Sequence, residues 1–294
     1  MESRVRGRES LIKLACLQFA PGVGRNDENR ERSCALVAQA ADAGARLCIL
    51  PELSNSGYVF NRRDEALELA EEIPGSETVR AWEAIARERA VFIVAGAAER
   101  EGGTLYNSAV LVGPGGYIGT YRKMHLWYEE KLFFEPGNHG LPVFPTTIGR
   151  IGICICYDLW FPETVRLLAL QGADVVCIPT NWVPVPGAKT EGPPMAIYLC
   201  MAAAHSNSVF VAAADRVGEE RGQPFLGNSV VVGPDGWPIA GPAGPAADEI
   251  LYAECNLVEA RRAKSWSDLN DTLRDRRTDF YDITLGANVK PHAF

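Results

Sequence analysis

Hydrophobic residues along the chain form a repeated helix-then-strand pattern. Four segments join an alanine-rich helical pattern to a short run of consecutive apolar residues. Consecutive rather than alternating apolar residues are typical of strands that are covered on both faces. The four segments are SCALVAQAADAGARLCILPE, TVRAWEAIARERAVFIVAGAAE, TVRLLALQGADVVCIPTN and MAIYLCMAAAHSNSVFVAAAD. The pattern therefore predicts an α/β protein.

Two further segments predict β-hairpins. NSAVLVGPGGYIGTYRK and NSVVVGPDGWPIAG each contain a Pro-Gly-Gly or Pro-Asp-Gly turn. They close two similar halves, because each half opens with a strand (LIKLACLQFA or RIGICICYD) and continues helix, strand, helix, strand, hairpin. This duplication predicts two similar sheets packed face to face with helices outside, a four-layer α-β-β-α sandwich with internal two-fold pseudosymmetry.

The connections between these elements are short, so residues 11–258 are predicted to form one domain. Residues 1–10, MESRVRGRES, are too charged for a signal peptide, and we expect a flexible N-terminal arm there. The C-terminal tail, residues 259–294, is charged with sparse apolar residues. We expect this tail to lie on the surface or at a subunit interface.

Composition narrows the classes of partner. The chain has 294 residues, 47% of them hydrophobic, and a formal net charge of −8 without a long basic run, which argues against nucleic acid. Its eight cysteines lack the spacing of a disulfide framework and suit reduced thiols in a cytoplasmic protein. No apolar run approaches the roughly 20 residues of a membrane span, so we expect no membrane partner.

Polar side chains follow several of the predicted strands. Glu52, Cys156 and Asn181 each end an apolar run, and Lys123 ends the first hairpin. Ligands of α/β sheets bind beyond the carboxyl ends of the strands. We therefore expect these side chains from both halves to converge at the seam between the two sheets.

Cys156 is the candidate nucleophile. Strand alternation places it on the same face as Cys154, so periodicity cannot choose between them, and the alternative is that both are core residues. Cys156, however, adjoins a turn in which Pro162 suits the first position of a helix. A helix N-terminus or a cation there is expected to lower the thiol pKa from about 8.5 toward neutrality. No H-E-x-x-H or paired C-x-x-C is present, so no metal site is expected.

Three charged residues can assist such a nucleophile. A partly buried Glu52 would act as a base, and Lys123 would stabilise an oxyanion. Glu130 would hold the lysine or contact the substrate. The alternatives are an ordinary strand-end charge for Glu52 and a solvated hairpin end for Lys123, while His125 is a rival base.

Three motifs together resemble the nitrilase superfamily of carbon-nitrogen hydrolases. They are LCILPELSNSGY, YRKMHLWYEEKLFFEPG and GICICYDLWFPE, and the resemblance runs from about Ile12 to Tyr281. It implies the four-layer fold, a Glu-Lys-Cys triad and a second catalytic glutamate, which fall on Glu52, Lys123, Cys156 and Glu130. Cys156 is preferred to Cys154 because the family nucleophile precedes the Tyr-Asp pair. The resemblance also implies no cofactor, and a homodimer or higher homo-oligomer with the tail across the interface.

The resemblance implies that the substrate is a small-molecule amide or nitrile. ADRVGEERG, NWVPVPG and NDTLRDRRTDFY resemble the branch of aliphatic nitrilases and nitrilase-like amidases, and a tyrosine after the nucleophile favours an amidase. Such an enzyme releases ammonia and a carboxylic acid through a thioester. The alternatives are a nitrilase that forms a thioimidate and an N-carbamoyl amine or amino acid amidohydrolase. The predicted substrate-binding residues are Tyr58, Trp127, Tyr157, Asn181 and Trp182.

The residues around the predicted pocket bear on the charge of the substrate, and other functions remain as alternatives. The predicted pocket walls suit a small neutral or weakly polar substrate, and no arginine pair stands out beside Cys156 or Asn181 to bind a carboxylate. Arg216 and Arg221 are nevertheless able to reach this region. Acyl transfer to an amine, a non-catalytic assembly role and a glutaminase that feeds a separate synthetase are the remaining hypotheses.

Overall fold

A computed structural model describes residues 11–185, residue 187 and residues 191–285. Two six-stranded sheets form the centre of this part of the chain. The predicted arm, residues 1–10, and the last nine residues of the predicted tail lie outside the described residues.

The first sheet is built from the N-terminal half and one C-terminal strand. Its strands are β1 (Leu11–Gln18), β2 (Ala45–Ile49), β3 (Phe92–Glu101), β4 (Thr104–Gly113), β5 (Gly116–Arg122) and β14 (Glu249–Asn256). Their order is β14-β1-β2-β3-β4-β5. The strands β1, β2 and β3 run parallel, whereas β4 and β5 form the predicted antiparallel hairpin and β14 pairs antiparallel with β1.

The second sheet repeats this arrangement. Its strands are β6 (Val143–Pro145), β7 (Arg150–Ile153), β8 (Val175–Pro179), β9 (Phe210–Ala214), β12 (Val230–Val232) and β13 (Pro238–Ala240), in the order β13-β12-β9-β8-β7-β6. Strands β7, β8 and β9 are parallel, and β12 and β13 form the second predicted hairpin. A short ribbon, β10 (Glu219–Glu220) with β11 (Gln223–Pro224), precedes that hairpin. The predicted duplication is therefore confirmed.

Helices cover the outer faces of both sheets. The helices are α1 (Asn26–Asp42), α2 (Arg63–Leu69), α3 (Glu77–Arg89), α4 (Glu130–Phe133), α5 (Pro162–Leu170), α6 (Met195–Asn207), α7 (Leu257–Arg262) and α8 (Thr278–Leu285). Helices α1 and α3 pack on the first sheet, and α5 and α6 pack on the second. The four-layer α-β-β-α sandwich is confirmed. None of the described helices combines the length and the apolar character needed to cross a bilayer.

Strand β1 shows why its apolar run is continuous. Leu14 and Cys16 point into the core between the two sheets. Ala15 and Leu17, which alternate with them, pack in the core beneath the helices. Both faces of the strand are buried, so each position favours an apolar residue.

Candidate active site

The carboxylates of Glu52 and Glu130 meet the ammonium group of Lys123 at the seam between the sheets. Lys123 follows β5 and donates to Glu52 Oε1 at 2.6 Å and to Glu130 Oε1 at 2.7 Å. All three side chains are buried. Three of the four predicted catalytic residues are thus in direct contact, as the convergence of strand ends led us to expect.

Several contacts fix the position of Glu52. Asn107 Nδ2 donates to its Oε1 at 2.7 Å, and Asn181 Nδ2 donates to its main-chain oxygen at 3.0 Å. Gly96 on β3 permits the approach, since a Cβ at that position would lie 2.5 Å from the Cα of Glu52. The second carboxylate oxygen, Oε2, is buried and has no hydrogen-bond partner among the described residues. That oxygen is therefore free to accept a proton.

Burial and charge act in opposite directions on this cluster. Burial raises the pKa of Glu52 to about 7, because the lowering effect of Lys123 is smaller than that of burial and the charge of Glu130 raises the pKa further. Burial also works against the charge on Lys123, but the carboxylates of Glu130 and Glu52 outweigh it and raise the pKa of the ammonium group. Lys123 is therefore a permanent cation, whereas Glu52 exchanges its proton near neutral pH.

Cys156 lies beside this cluster at the start of a 3₁₀ turn, Cys156–Trp160, which follows β7. Its φ of +44° places the backbone in the left-handed region, which is strained for a residue with a side chain. Burial, and then the charge of Glu52, raise its pKa well above the ordinary value, although Lys123, Thr180 and Asn181 lower it. The expectation that the thiol pKa falls toward neutrality is wrong, because desolvation exceeds the effect of the nearby cation.

Cys154, the rival nucleophile, is fully buried in the inter-sheet core. Burial and then the charge of Asp158 raise the pKa of its thiol. Among the causes of that shift there is no cation, in contrast to Cys156. The structure therefore places Cys156, and not Cys154, under the influence of both Glu52 and Lys123.

Asp158 connects the turn of Cys156 to the segment that follows β5. Its buried carboxylate accepts from the Ile155 N–H at 2.9 Å and the Tyr121 hydroxyl at 2.7 Å on Oδ2. Its Oδ1 accepts from the backbone N–H of His125 at 3.0 Å and is hydrogen-bonded to His125 Nδ1 at 2.7 Å. The His125 ring also stacks on Phe161, with 3.7 Å between the ring centroids. His125 is thus engaged with Asp158 rather than with the Glu52 cluster.

A small cavity opens next to Glu130. Its volume is about 70 Å³, and two of the predicted substrate-binding residues, Tyr58 and Trp127, line it. The Tyr58 hydroxyl donates to Glu130 Oε1 at 2.7 Å, and burial followed by the charge of Glu130 raises the pKa of that hydroxyl. The Tyr157 ring packs against Trp127 at a centroid distance of 4.9 Å. The cavity wall therefore includes Glu130, the residue whose carboxylate holds Lys123.

The other two predicted substrate-binding residues are buried nearby and are not part of the lining of this cavity. Asn181 contacts the backbone of Glu52, as described above. The backbone N–H of Trp182 donates to Asp215 Oδ1 at 2.9 Å. Burial raises the pKa of Asp215 well above the ordinary value, because two backbone N–H groups and Arg216 only partly offset it.

Sequence reasoning missed Asn107, Asp158 and Glu220. Glu220 accepts from the backbone N–H groups of Tyr58 at 2.8 Å and Val59 at 2.7 Å, and so holds the loop that carries Tyr58. Asn107 had a readable signal, because it is a polar residue within a largely apolar strand, β4. Glu220 had none, because its partners are 161 and 162 positions away. Among the described residues, no group of three or more His, Cys, Asp or Glu is arranged to hold a metal ion.

Comparisons with known proteins find relatives that match most of the chain. The family model for carbon-nitrogen hydrolases matches residues 13–265. A nitrilase of Pyrococcus abyssi is 43% identical over 92% of this chain and 99% of its own length. An N-carbamoylputrescine amidase of Solanum lycopersicum is 32% identical over 95% of this chain and 96% of its own.

Solved structures give the same result. A carbon-nitrogen hydrolase from Helicobacter pylori G27 superposes with a TM-score of 0.83 at 29% identity, covering 95% of this chain and 99% of that one. A mutant amidase from Nesterenkonia sp. AN1 has a TM-score of 0.75 at 27% identity, covering 92% of this chain and 96% of that one. In that amidase, the acetamide moiety of fluoroacetamide is covalently attached to the active-site cysteine.

Proposed function

Since the chain belongs to the carbon-nitrogen hydrolase family, we propose that it is a small-molecule amidase whose nucleophile is Cys156. The observation that carries this proposal is the buried contact of Lys123 with Glu52 and Glu130, at 2.6 and 2.7 Å, beside that thiol. A base, a cation and a sulfur nucleophile in one place supply the groups that amide hydrolysis requires.

In the first half-reaction, Cys156 Sγ attacks the amide carbon while Glu52 takes the thiol proton. A raised thiol pKa makes this base necessary, because little thiolate exists at neutral pH without it. The Lys123 ammonium and the Tyr157 backbone N–H stabilise the negative charge on the former carbonyl oxygen. Glu52 then returns the proton to the leaving nitrogen, the C–N bond breaks and ammonia departs from a thioester.

In the second half-reaction, Glu52 removes a proton from water as the water attacks the thioester. The C–S bond breaks, Cys156 recovers its proton and a carboxylic acid is released. A carboxyl group with a pKa of about 7 is suited to both steps, because it accepts and returns a proton near neutral pH. Glu130 keeps Lys123 in place throughout, and we propose that this is its contribution to catalysis.

Paired cysteine variants test this proposal. Ammonia release from small amides should be abolished in Cys156→Ala and retained in Cys154→Ala, because Cys154 is fully buried in the core between the sheets. Both variants should remain folded by circular dichroism. An active Cys156→Ala variant would show that the nucleophile is assigned to the wrong residue.

A nitrilase is the second candidate. It is favoured by the 43% identity with the Pyrococcus abyssi nitrilase. The same thiolate would add to a nitrile carbon, and two waters in succession would convert the thioimidate to acid and ammonia. Matched amide and nitrile pairs of equal chain length separate the two activities, and an N-carbamoyl amine in the same screen tests the third alternative. A higher kcat/KM for the nitriles would overturn the amidase proposal.

We further propose a homodimer or higher homo-oligomer that uses the outer face of α5 and α6 and the tail. Large apolar side chains are exposed there, and they include Leu167, Met195, Tyr198 and Phe280. Light scattering at micromolar concentration tests this, and a monomeric mass would refute it. We also propose a reducing, cytoplasmic location, which is supported by eight free cysteines, of which seven are buried.

A further inference from the structure

The chemistry of the cavity beside Glu130 is aromatic and acidic. Six aromatic side chains line it: Tyr58, Phe60, Trp127, Tyr128, Phe133 and Phe134. Val59, Val183 and Gln223 complete the uncharged part of the wall, and Glu129 and Glu130 supply carboxylates. Within the described part of the chain, this lining includes no lysine, arginine or histidine.

The charges around the cavity do not favour an anion. Lys123 is held by two carboxylates, Glu52 and Glu130, and is not part of the cavity lining, so it offers no positive charge to a group at the end of the substrate's acyl chain. Glu129, an exposed glutamate, is a further acidic residue of the cavity wall. A second negative charge brought into this region would be repelled, and a positive charge would be attracted.

Arg216 and Arg221, the candidates for binding a substrate carboxylate, each contact another side chain of the protein. Arg216 is buried, donates to Glu220 Oε2 at 3.2 Å and lies 4.0 Å from the centroid of the Phe225 ring. Arg221 forms a paired contact with Glu65, at 2.7 and 2.9 Å. Neither arginine lines the cavity. Both cations are thus neutralised by their own partners.

From this arrangement we infer that the cavity receives the end of the substrate's acyl chain and selects chains that carry a protonated amine, while it rejects chains that end in a carboxylate. This inference rests on the proposed amidase function. Aromatic faces attract ammonium groups, and Glu129 supplies a partner of opposite charge at the same wall. Glu129 is therefore the residue that sets the preference, and an N-carbamoyl amino acid with a free carboxylate is a poor substrate.

Three amides of matched length test the inference: 5-aminopentanamide, hexanamide and the monoamide of glutaric acid. We expect kcat/KM for ammonia release to be roughly tenfold higher for the cation than for the neutral amide, in line with a cation–π and charge contribution. We expect it to be at least roughly 100-fold higher for the cation than for the anion, because the anion is repelled as well.

Matched variants identify the residue responsible. Glu129→Gln should reduce the ratio of cationic to neutral kcat/KM toward one, and Glu129→Lys should invert the order of cation and anion. Glu135→Gln is the control, since Glu135 is an exposed glutamate outside the cavity lining. It removes the same charge from the protein and should leave the ratio unchanged.

Affinity measurements distinguish a failure of this inference from a failure of the proposed function. Calorimetric titration of the Cys156→Ala variant with the same three amides measures affinity without turnover. If the wild type hydrolyses none of them but the variant binds the cation most tightly, the amidase proposal fails, whereas the preference of the cavity for a cation stands. Equal affinities and equal kcat/KM values, or a preference for the anion, would overturn the inference and leave the amidase proposal intact.

Discussion

Replacement of Asp158 by asparagine tests whether one buried carboxylate holds the nucleophile turn against the segment of Lys123. Asp158 is fully buried and accepts two hydrogen bonds on each oxygen. Asparagine has nearly the same shape but replaces one oxygen by an NH₂ group. Whichever way the amide is oriented, its NH₂ group replaces an oxygen that accepts two hydrogen bonds. The two donors on that side, either those of His125 or those of Tyr121 and Ile155, then lose their acceptor.

The expected magnitude follows from those two lost contacts. Each unsatisfied buried donor costs about 1–3 kcal/mol, so the free energy of unfolding should fall by about 4 kcal/mol. For a chain of this length that corresponds to a decrease in Tm of roughly 8 °C. The strained backbone of Cys156 should also relax, and a displacement of about 1 Å would reduce kcat roughly 100-fold.

Asp174→Asn is the matched control. Asp174 is also fully buried and accepts from the backbone N–H of Arg150 at 2.9 Å and from the Arg261 guanidinium at 2.7 and 2.8 Å. It precedes β8, so it lies at the opposite end of that strand from Asn181. This variant should lose comparable stability but keep its kcat. The assays are thermal unfolding and ammonia release at 20 °C below the Tm of each variant.

The two readouts refute different parts of the reasoning. If Asp158→Asn loses stability but keeps the wild-type kcat, Asp158 does not position the nucleophile. If its Tm is unchanged, the hydrogen-bond accounting is wrong. Equal losses of kcat in Asp158→Asn and Asp174→Asn would point to a general loosening of the fold.

Three further predictions concern the same site. Lys123→Met leaves Glu52 and Glu130 without a counterion, so turnover should nearly vanish and the free energy of unfolding should fall by about 3–5 kcal/mol; an unchanged urea midpoint would contradict this. Because the pKa of Glu52 is raised from 4.5 to about 7, kcat/KM should rise with pH through about 7. The same shift means that the folded state binds the proton more tightly than the unfolded state, so this contribution to stability is present below about pH 4.5 and is lost as the pH rises through 7. The difference in Tm between pH 5 and pH 8 measures this contribution. An equal difference in wild type and in Glu52→Gln would refute it. Gly96→Ala should displace Glu52 and inactivate the enzyme, whereas Gly103→Ala, with no heavy atom within 4 Å of the new Cβ, should not.

The amino-acid sequence alone determined the elements and their duplication. Apolar runs, helical periodicity and Pro-Gly turns act over a few residues, so the helix–strand segments and both hairpins are readable without tertiary information. Because strand ends meet at one edge of a sheet, the proximity of Glu52 and Lys123 was also predictable.

Only the tertiary structure decided the electrostatics and the positioning. The thiol pKa of Cys156 was predicted to fall and instead rises, because burial depends on segments far away in sequence. Asp158 is hydrogen-bonded to Tyr121, 37 positions before it, and Glu220 is hydrogen-bonded to the loop of Tyr58, more than 160 positions before it. Desolvation and hydrogen-bond partners are properties of the packed chain, and local sequence patterns carry no information about which distant segment will supply them.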